Sequence, residues 1–314
     1  MPSSCMRFLR CSCWKTERKI FSFIHHDKSS RVPCIIQPVL MPSVGFMAHF
    51  VRALSMIAYA DRKAMMPVID MKTSRSVYIY DYEVGKVNAW EYYFEQPGEI
   101  SLDEALARKD SIIIPPSFNT YSRPNSSLGF YYDYGGELSY WRDICRKYIR
   151  LSAPLRERLE REKQAFSGKR VLGVSVRGTD YTAFRNTNHP VQPSAEQVIA
   201  KVQEVMSAKN FNAIYLSTED KNIVAKFMSH FGDSILLPEQ EYVNFDPILR
   251  KDISNYSGNR ENDRYLSGLE YLTSKLLLCE CDGLVTSMSG GAICAMLFSE
   301  GFDYLHVFDL GVYP

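Results

Sequence analysis

Arg177 closes an apolar run. Residues 171–181 read V-L-G-V-S-V-R-G-T-D-Y, and after Val171, Leu172, Val174 and Val176 the character changes to Arg177, Gly178, Thr179 and Asp180. A short β-branched run that ends in polar residues predicts a buried parallel strand. In an open α/β sheet the carboxyl end of such a strand is where ligands bind. A guanidinium suits that place because its planar fork grips a phosphate or carboxylate through two parallel hydrogen bonds. The plainer reading of Arg177 and Asp180 is an ion pair at a strand end.

A second stretch, V-T-S-M-S-G-G-A over 285–292, also ends a strand in hydroxyls and then turns on two glycines into a helix. The N-terminus of a helix presents N–H groups without intrahelical partners and the positive end of the dipole, which favours phosphate. Glycine lets the backbone approach a ligand closely. An ordinary strand-to-helix turn capped by Ser289 fits the same residues. Between the two stretches, Glu219 and Asp220 follow A-I-Y-L-S-T at 213–218. They read equally well as caps of the next helix or as acceptors for a ribose or a base edge. Glu270, Ser274 and Lys275 lie at helical spacing, with the first two on one face, and read as a solvated face unless that face meets a cleft. His189, in a polar loop, and His49, just after the Gly45 loop, are candidates for an acceptor side. The chain holds no D-x-D pair. A departing diphosphate would then be neutralised by arginine and N–H groups in place of a metal.

The elements that must position these residues follow from the hydrophobic pattern. A strand over 32–40, a glycine loop near Gly45, a helix from Phe46 to Ala60 and a strand over 66–71 make a βαβ start. Tyrosine-rich residues 72–94 are irregular. Ser101 and Glu104 form a capping box before a short helix, and 111–115 is a strand. Residues 119–136 read as a long loop, of the kind that is more often functional than idle. Residues 138–166 are helical, broken or restarted at Pro154. After a junction at 167–169, strands at 171–176, 213–218, 235–237, 283–287 and 304–310 alternate with helices, and Ser194 with Gln197 boxes the first of these. That alternation predicts a doubly wound parallel sheet. The expected organisation is a flexible basic arm over 1–31, an N-terminal domain over 32–166 and a C-terminal domain over 167–314.

With 314 residues, 46% of them hydrophobic and 23% charged, the chain is long enough for two ordinary globular domains. A net charge of +1 gives no reason to expect a nucleic-acid partner. Nothing approaches the roughly twenty apolar residues of a membrane span. The first 31 residues carry seven Lys or Arg against two acids and no long apolar core, which argues against a secretory signal. A frayed leader or a weak peripheral contact with an anionic membrane both fit them. The eight cysteines, Cys5, Cys11, Cys13, Cys34, Cys145, Cys279, Cys281 and Cys294, show no C-x-x-C spacing. A zinc site is therefore not expected, and reduced thiols in a cytoplasmic protein are.

At these residues a family resemblance enters. V-S-V-R-G-T-D-Y resembles the arginine motif of the GDP-fucose-dependent fucosyltransferases, the superfamily of α1,6-, α1,2- and protein O-fucosyltransferases. I-Y-L-S-T-E-D and C-D-G-L-V-T-S-M-S-G-G look like its second and third motifs, in the same order across about residues 170–300. The resemblance is closest to a bacterial-type polysaccharide glycosyltransferase. It implies a GT-B fold, two Rossmann-like domains facing a cleft, with 32–166 on the acceptor side and 167–314 binding the nucleotide sugar. It also implies metal-independent, inverting transfer without a cofactor, GDP-fucose being the donor substrate and a glycan or glycoconjugate the acceptor. It implies Arg177 on the β-phosphate and Asp180 as the motif's structural carboxylate. Glu219 and Asp220 would be the second-motif acids. Thr286, Ser287 and Ser289, with Gly290 and Gly291, would lie near the phosphates. Ser175 stands where a histidine is common and Gly178 where the α1,6 branch has a second arginine, and both would line the donor. Asp70, Asp180 and Glu95 are candidates for the acceptor's base. Two other classes fit less of the chain: a binding protein for a nucleotide sugar without transfer activity, and a nicotinamide dehydrogenase, which would need the absent G-x-G-x-x-G. A transferase using another nucleotide sugar is the nearer alternative.

Overall fold

The computed structural model describes residues 31–38, 45–72, 76, 78–118, 123–124, 127–178, 187–244 and 260–314. The basic arm up to residue 30 and Asp180 lie outside these.

Among the described residues, three parallel strands build the first sheet: β1 (Pro33–Ile36), β2 (Met66–Ile69) and β3 (Ile112–Ile114), in the order β2-β1-β3. Its two strand prolines sit where a missing N–H does no harm, Pro33 at a strand start and Pro67 on an edge strand. Helix α1 (Phe46–Arg62) joins β1 to β2 and buries Met47, His49, Phe50, Ala53, Leu54 and Ile57. Gly45 precedes it and offers no side-chain cap; the Tyr78 hydroxyl accepts from the Phe46 N–H instead, at 2.9 Å. The capping box of Ser101 and Glu104 opens α2 (Leu102–Ala107). A four-residue helix, α3 (Leu128–Tyr131), interrupts the expected long loop. The helical stretch divides into α4 (Glu137–Tyr148) and α5 (Ala153–Lys163), with Pro154 in the first turn of the second. Proline is tolerated there because that N–H has no helical partner.

Five parallel strands of the described residues build the second sheet: β4 (Val171–Ser175), β5 (Ala213–Ser217), β6 (Ile235–Leu236), β7 (Gly283–Ser287) and β8 (Tyr304–Phe308). They run in the order β6-β5-β4-β7-β8. The chain order thus reverses between β4 and β7. Helices α6 (Ala195–Ala208) and α7 (Lys221–Phe231) cover one face, packing Val198, Val202 and Phe227 on Leu172, Val174 and Leu216. Helices α8 (Asp263–Cys279) and α9 (Gly290–Phe298) cover the other.

The second cover is shared by both sheets. One continuous apolar cluster takes in α8 and α9 together with α1, α4 and α5. Polar ties cross the same boundary: Arg142 donates to Met296 O at 2.8 Å and to Ser299 Oγ at 3.0 Å, and the Tyr93 hydroxyl donates to Tyr265 O at 3.1 Å. Among the described residues, no helix is long and apolar enough to cross a membrane.

Candidate active site at the strand-order reversal

The carboxyl ends of β4 and β7 are neighbours, paired from Leu172–Gly283 to Val174–Val285. Ser175, Ser217 and Ser287 end three adjacent strands, with Thr286 one residue before the end of β7, and all four are buried. Arg177 follows β4. Its Nη1 lies 3.3 Å from Glu219 Oε1, with both side chains mostly covered. Glu219 itself is held by its backbone, its carbonyl accepting from the Val243 N–H at 2.9 Å.

Asp220 is the N-cap of α7; its carboxylate accepts from the Asn222 N–H at 2.7 Å. Of its two readings, this is the one the geometry displays. It also explains the glycine at 178. A Cβ on Gly178 would sit 2.7 Å from Ile223 Cδ1 and 2.8 Å from Asp220 Oδ2. The packed start of α7 leaves no room for an arginine at that position.

The turn after β7 is held from three sides. Ser289 Oγ accepts from the Ala292 N–H at 3.2 Å and its carbonyl from the Ile293 N–H. The N–H groups that Ser289 does not cap are those of Gly290 and Gly291. Tyr131, from α3, accepts from the Ser289 N–H and donates to the Ser289 carbonyl. Gln192 accepts from the Ser287 hydroxyl and donates to Met288 O. Gly290 is packed on α1: a Cβ there would lie 3.0 Å from Met47 Cβ.

Beneath Gly291 lies a buried lysine. A Cβ on Gly291 would meet Lys275 Cε at 2.9 Å and Cδ at 3.1 Å. Lys275 Nζ donates to Ser217 Oγ at 2.7 Å, and Ser217 Oγ is 2.7 Å from Ser274 Oγ. The ammonium sits 5.5 Å from the centre of the Tyr271 ring. Burial pushes its pKa down to about 8, partly offset by Glu219, while Arg177 lowers it further. Burial likewise pushes the Tyr78 phenol up to about 12, against a smaller opposing effect of Arg177. The Glu219 carboxylate thus acts on both cations, paired with Arg177 and favouring the charged form of Lys275.

Lys275 and Ser274 had read as a solvated face. Both are buried, and Glu270 is mostly covered and paired with Arg260 at 2.5 Å, so none of the trio lies on a solvated face. Tyr131 and Gln192 carried no local signal; they reach the turn from 158 and 95 residues away. Of the acceptor-side candidates, Gly45 is exposed and His49 is buried beside a cavity of about 20 Å³ walled by Phe50, Tyr78 and Trp90. His189 is exposed on a segment that pairs with the chain's end, its carbonyl accepting from the Tyr313 N–H at 2.9 Å. Asp70 is buried and accepts from Gln37 Nε2 and the Lys72 N–H, both at 2.9 Å. Glu95 is exposed, 3.7 Å from Arg156. Among the described residues, no group of three or more His, Cys, Asp and Glu could hold a metal ion.

Two parallel α/β sheets that share a helical layer, with conspicuous polar residues at a strand-order reversal, make the fold GT-B. The α1,6-fucosyltransferase NodZ crystallised with GDP is similar to this chain at 16% identity and a TM-score of 0.51, over 86% of this chain and 93% of that one. The fucosyltransferase NodZ from Bradyrhizobium matches at 16% identity and 0.50, over the same shares. POFUT1 in complex with GDP-fucose matches at 11% and 0.47, over 88% and 98%. No protein-family model and no curated protein sequence matches the chain.

Proposed function

We propose that this chain is a metal-independent, inverting fucosyltransferase that takes fucose from GDP-fucose to a hydroxyl of a glycan. One observation carries the reading. Arg177 and the Ser287–Gly291 turn follow neighbouring strands at the one reversal of strand order in the five-stranded sheet. Ligands of open α/β sheets bind at such points. A fucosyltransferase of the same fold co-crystallised with GDP supports the choice of nucleotide.

In this reading the residues 167–314 hold the donor and 32–166 the acceptor. The acceptor oxygen attacks the anomeric carbon from the face opposite the diphosphate. The bond from that carbon to the phosphate oxygen breaks, its electron pair leaves with GDP, and the acceptor's proton passes to a base at the cleft. Charge therefore grows on the diphosphate. The Arg177 guanidinium, the Gly290 and Gly291 N–H groups and the Lys275 ammonium below them are fixed before reaction, which is what makes such donors effective. Glu219 holds Arg177 in place. The hydroxyls of Ser175, Thr286 and Ser287 border the same crevice.

Thermal-shift measurements with GDP, UDP and CMP test the donor. A ligand that binds only the folded state stabilises it by about 3 kcal/mol at a hundred times its Kd. GDP is expected to raise Tm most; a response to UDP alone would overturn the assignment to fucose. For the chemistry, Arg177→Ala is expected to lower kcat by about 10²–10³ with the fold retained, the loss typical of one oxyanion donor. Turnover near that of the wild type would sink the mechanism.

A further inference from the structure

A second concavity lies outside this constellation. It has a volume of about 330 Å³ and is lined by Tyr80, Tyr92, Tyr265, Glu83, Glu91 and Asn262. Topology places it at the edge where the reaction would occur. Helix α8 leads through 280–282 to the amino end of β7, so its first residues, Asn262 and Tyr265 among them, stand at the carboxyl edge of the second sheet. Residues 78–94 follow β2 and stand at the carboxyl edge of the first. Tyr78, two residues before the groove wall begins, lies in the field of the Arg177 guanidinium.

The lining has the chemistry of a sugar site. A pyranose offers an apolar C–H face, which suits tyrosine rings, and a rim of hydroxyls, which suits carboxylates and amides. Binding pockets for small ligands typically run from about 300 Å³ upward, with aromatic walls and a few placed polar groups. Here those groups are held by neutral donors. Glu83 accepts from the Tyr80 N–H at 2.6 Å and from the Tyr92 hydroxyl at 2.8 Å. Glu91 accepts from Gln96 Nε2 at 2.7 Å and from Asn88 Nδ2 at 3.2 Å. A carboxylate has room for about four hydrogen bonds, so each keeps acceptor capacity toward the groove. Aromatic rings with carboxylates could instead hold an ammonium ion. Against that, Arg264 already stacks on Tyr80, 5.0 Å from the ring centre, and places a positive charge at the wall.

We infer that this groove is the subsite for the acceptor sugar. The inference rests on the transferase reading above but is tested without transfer. Full-length protein is titrated with short oligosaccharides of glucose, galactose, mannose and N-acetylglucosamine, and binding is followed by saturation-transfer NMR. GDP binding is followed separately by thermal shift. Asn262→Gly removes the amide while keeping a backbone at φ 56°, which glycine adopts without strain. Glu91→Gln changes an exposed carboxylate. At least one oligosaccharide is expected to bind the wild type, and each variant to bind it about tenfold more weakly with the GDP response unchanged. Sugar binding lost in the variants with no GDP response in any protein supports the groove and sinks the donor reading. No oligosaccharide bound by the wild type, equal affinity in both variants, or binding of tetramethylammonium in place of sugar overturns the proposal.

Discussion

Lys275 is the residue whose behaviour most directly reports the site. Its ammonium is buried under Gly291 and its pKa is pushed down to about 8 from an ordinary value of 10.5. Between those values the folded protein binds fewer protons than the unfolded chain. Stability therefore rises with pH across that window, and below it the buried charge costs a constant amount of about 3 kcal/mol. Lys275→Met is expected to raise Tm at pH 7 and to flatten the slope between pH 8 and 10.5, read from thermal melts of both proteins across that range. A diphosphate would act in the opposite sense, since it favours the ammonium. GDP affinity in the wild type is then expected to fall as pH rises through about 8, and titration calorimetry should show proton uptake on binding near that pH. Affinity that stays level from pH 7 to 9 would remove Lys275 from the diphosphate site.

At the scale of elements, the strand ends and helix caps were legible in the sequence because their signals are local. The capping boxes at Ser101 and Ser194 fall where the spacing of Ser with Glu or Gln puts them. The strand over 283–287 has the expected bounds, since glycine opens it and hydroxyls close it. What holds the turn after that strand was not legible. Tyr131 comes from a four-residue helix inside a loop, and Gln192 from the end of another loop. Lys275 misled because α8 is covered by the second sheet on one side and by α5 and α9 on others, so even its polar residues are buried. Periodicity describes a helix with one wet face and has no signature for a helix covered on several sides. The turn supplies its own test. Gly291→Ala would press a methyl group onto Lys275 Cε and displace the ammonium from Ser217. It is expected to cut the GDP-induced rise in Tm by more than half, and Tyr131→Phe, which loses only the hydroxyl held by Ser289, to cost about 1–2 kcal/mol in denaturant melts. A full GDP response in Gly291→Ala would show that the turn and the lysine act separately.

For the whole molecule, the alternation of strand and helix was enough to foretell two parallel sheets, but not how they join. The sequence suggests a division at 167–169, whereas the apolar cluster runs through it, tying α1 and α4 to α8 and α9. The contacts responsible, Phe50 on Phe298 and Gly290 on Met47, pair residues hundreds of positions apart, where no window of the sequence can see them. They have a consequence for ligand binding. The donor would touch the second sheet, yet the start of α9 that it touches is packed on α1 and anchored by Tyr131. A ligand raises the free energy of every opening motion that would disrupt its site, and only of those. If α1 and α9 open together, GDP must protect both. Amide hydrogen exchange is therefore expected to slow on GDP binding in residues 47–58 as well as in 290–298, while α2, packed on the far sheet against Ile35 and Val68, stays unchanged. Protection confined to 290–298 would mean that the two halves open independently despite their common core.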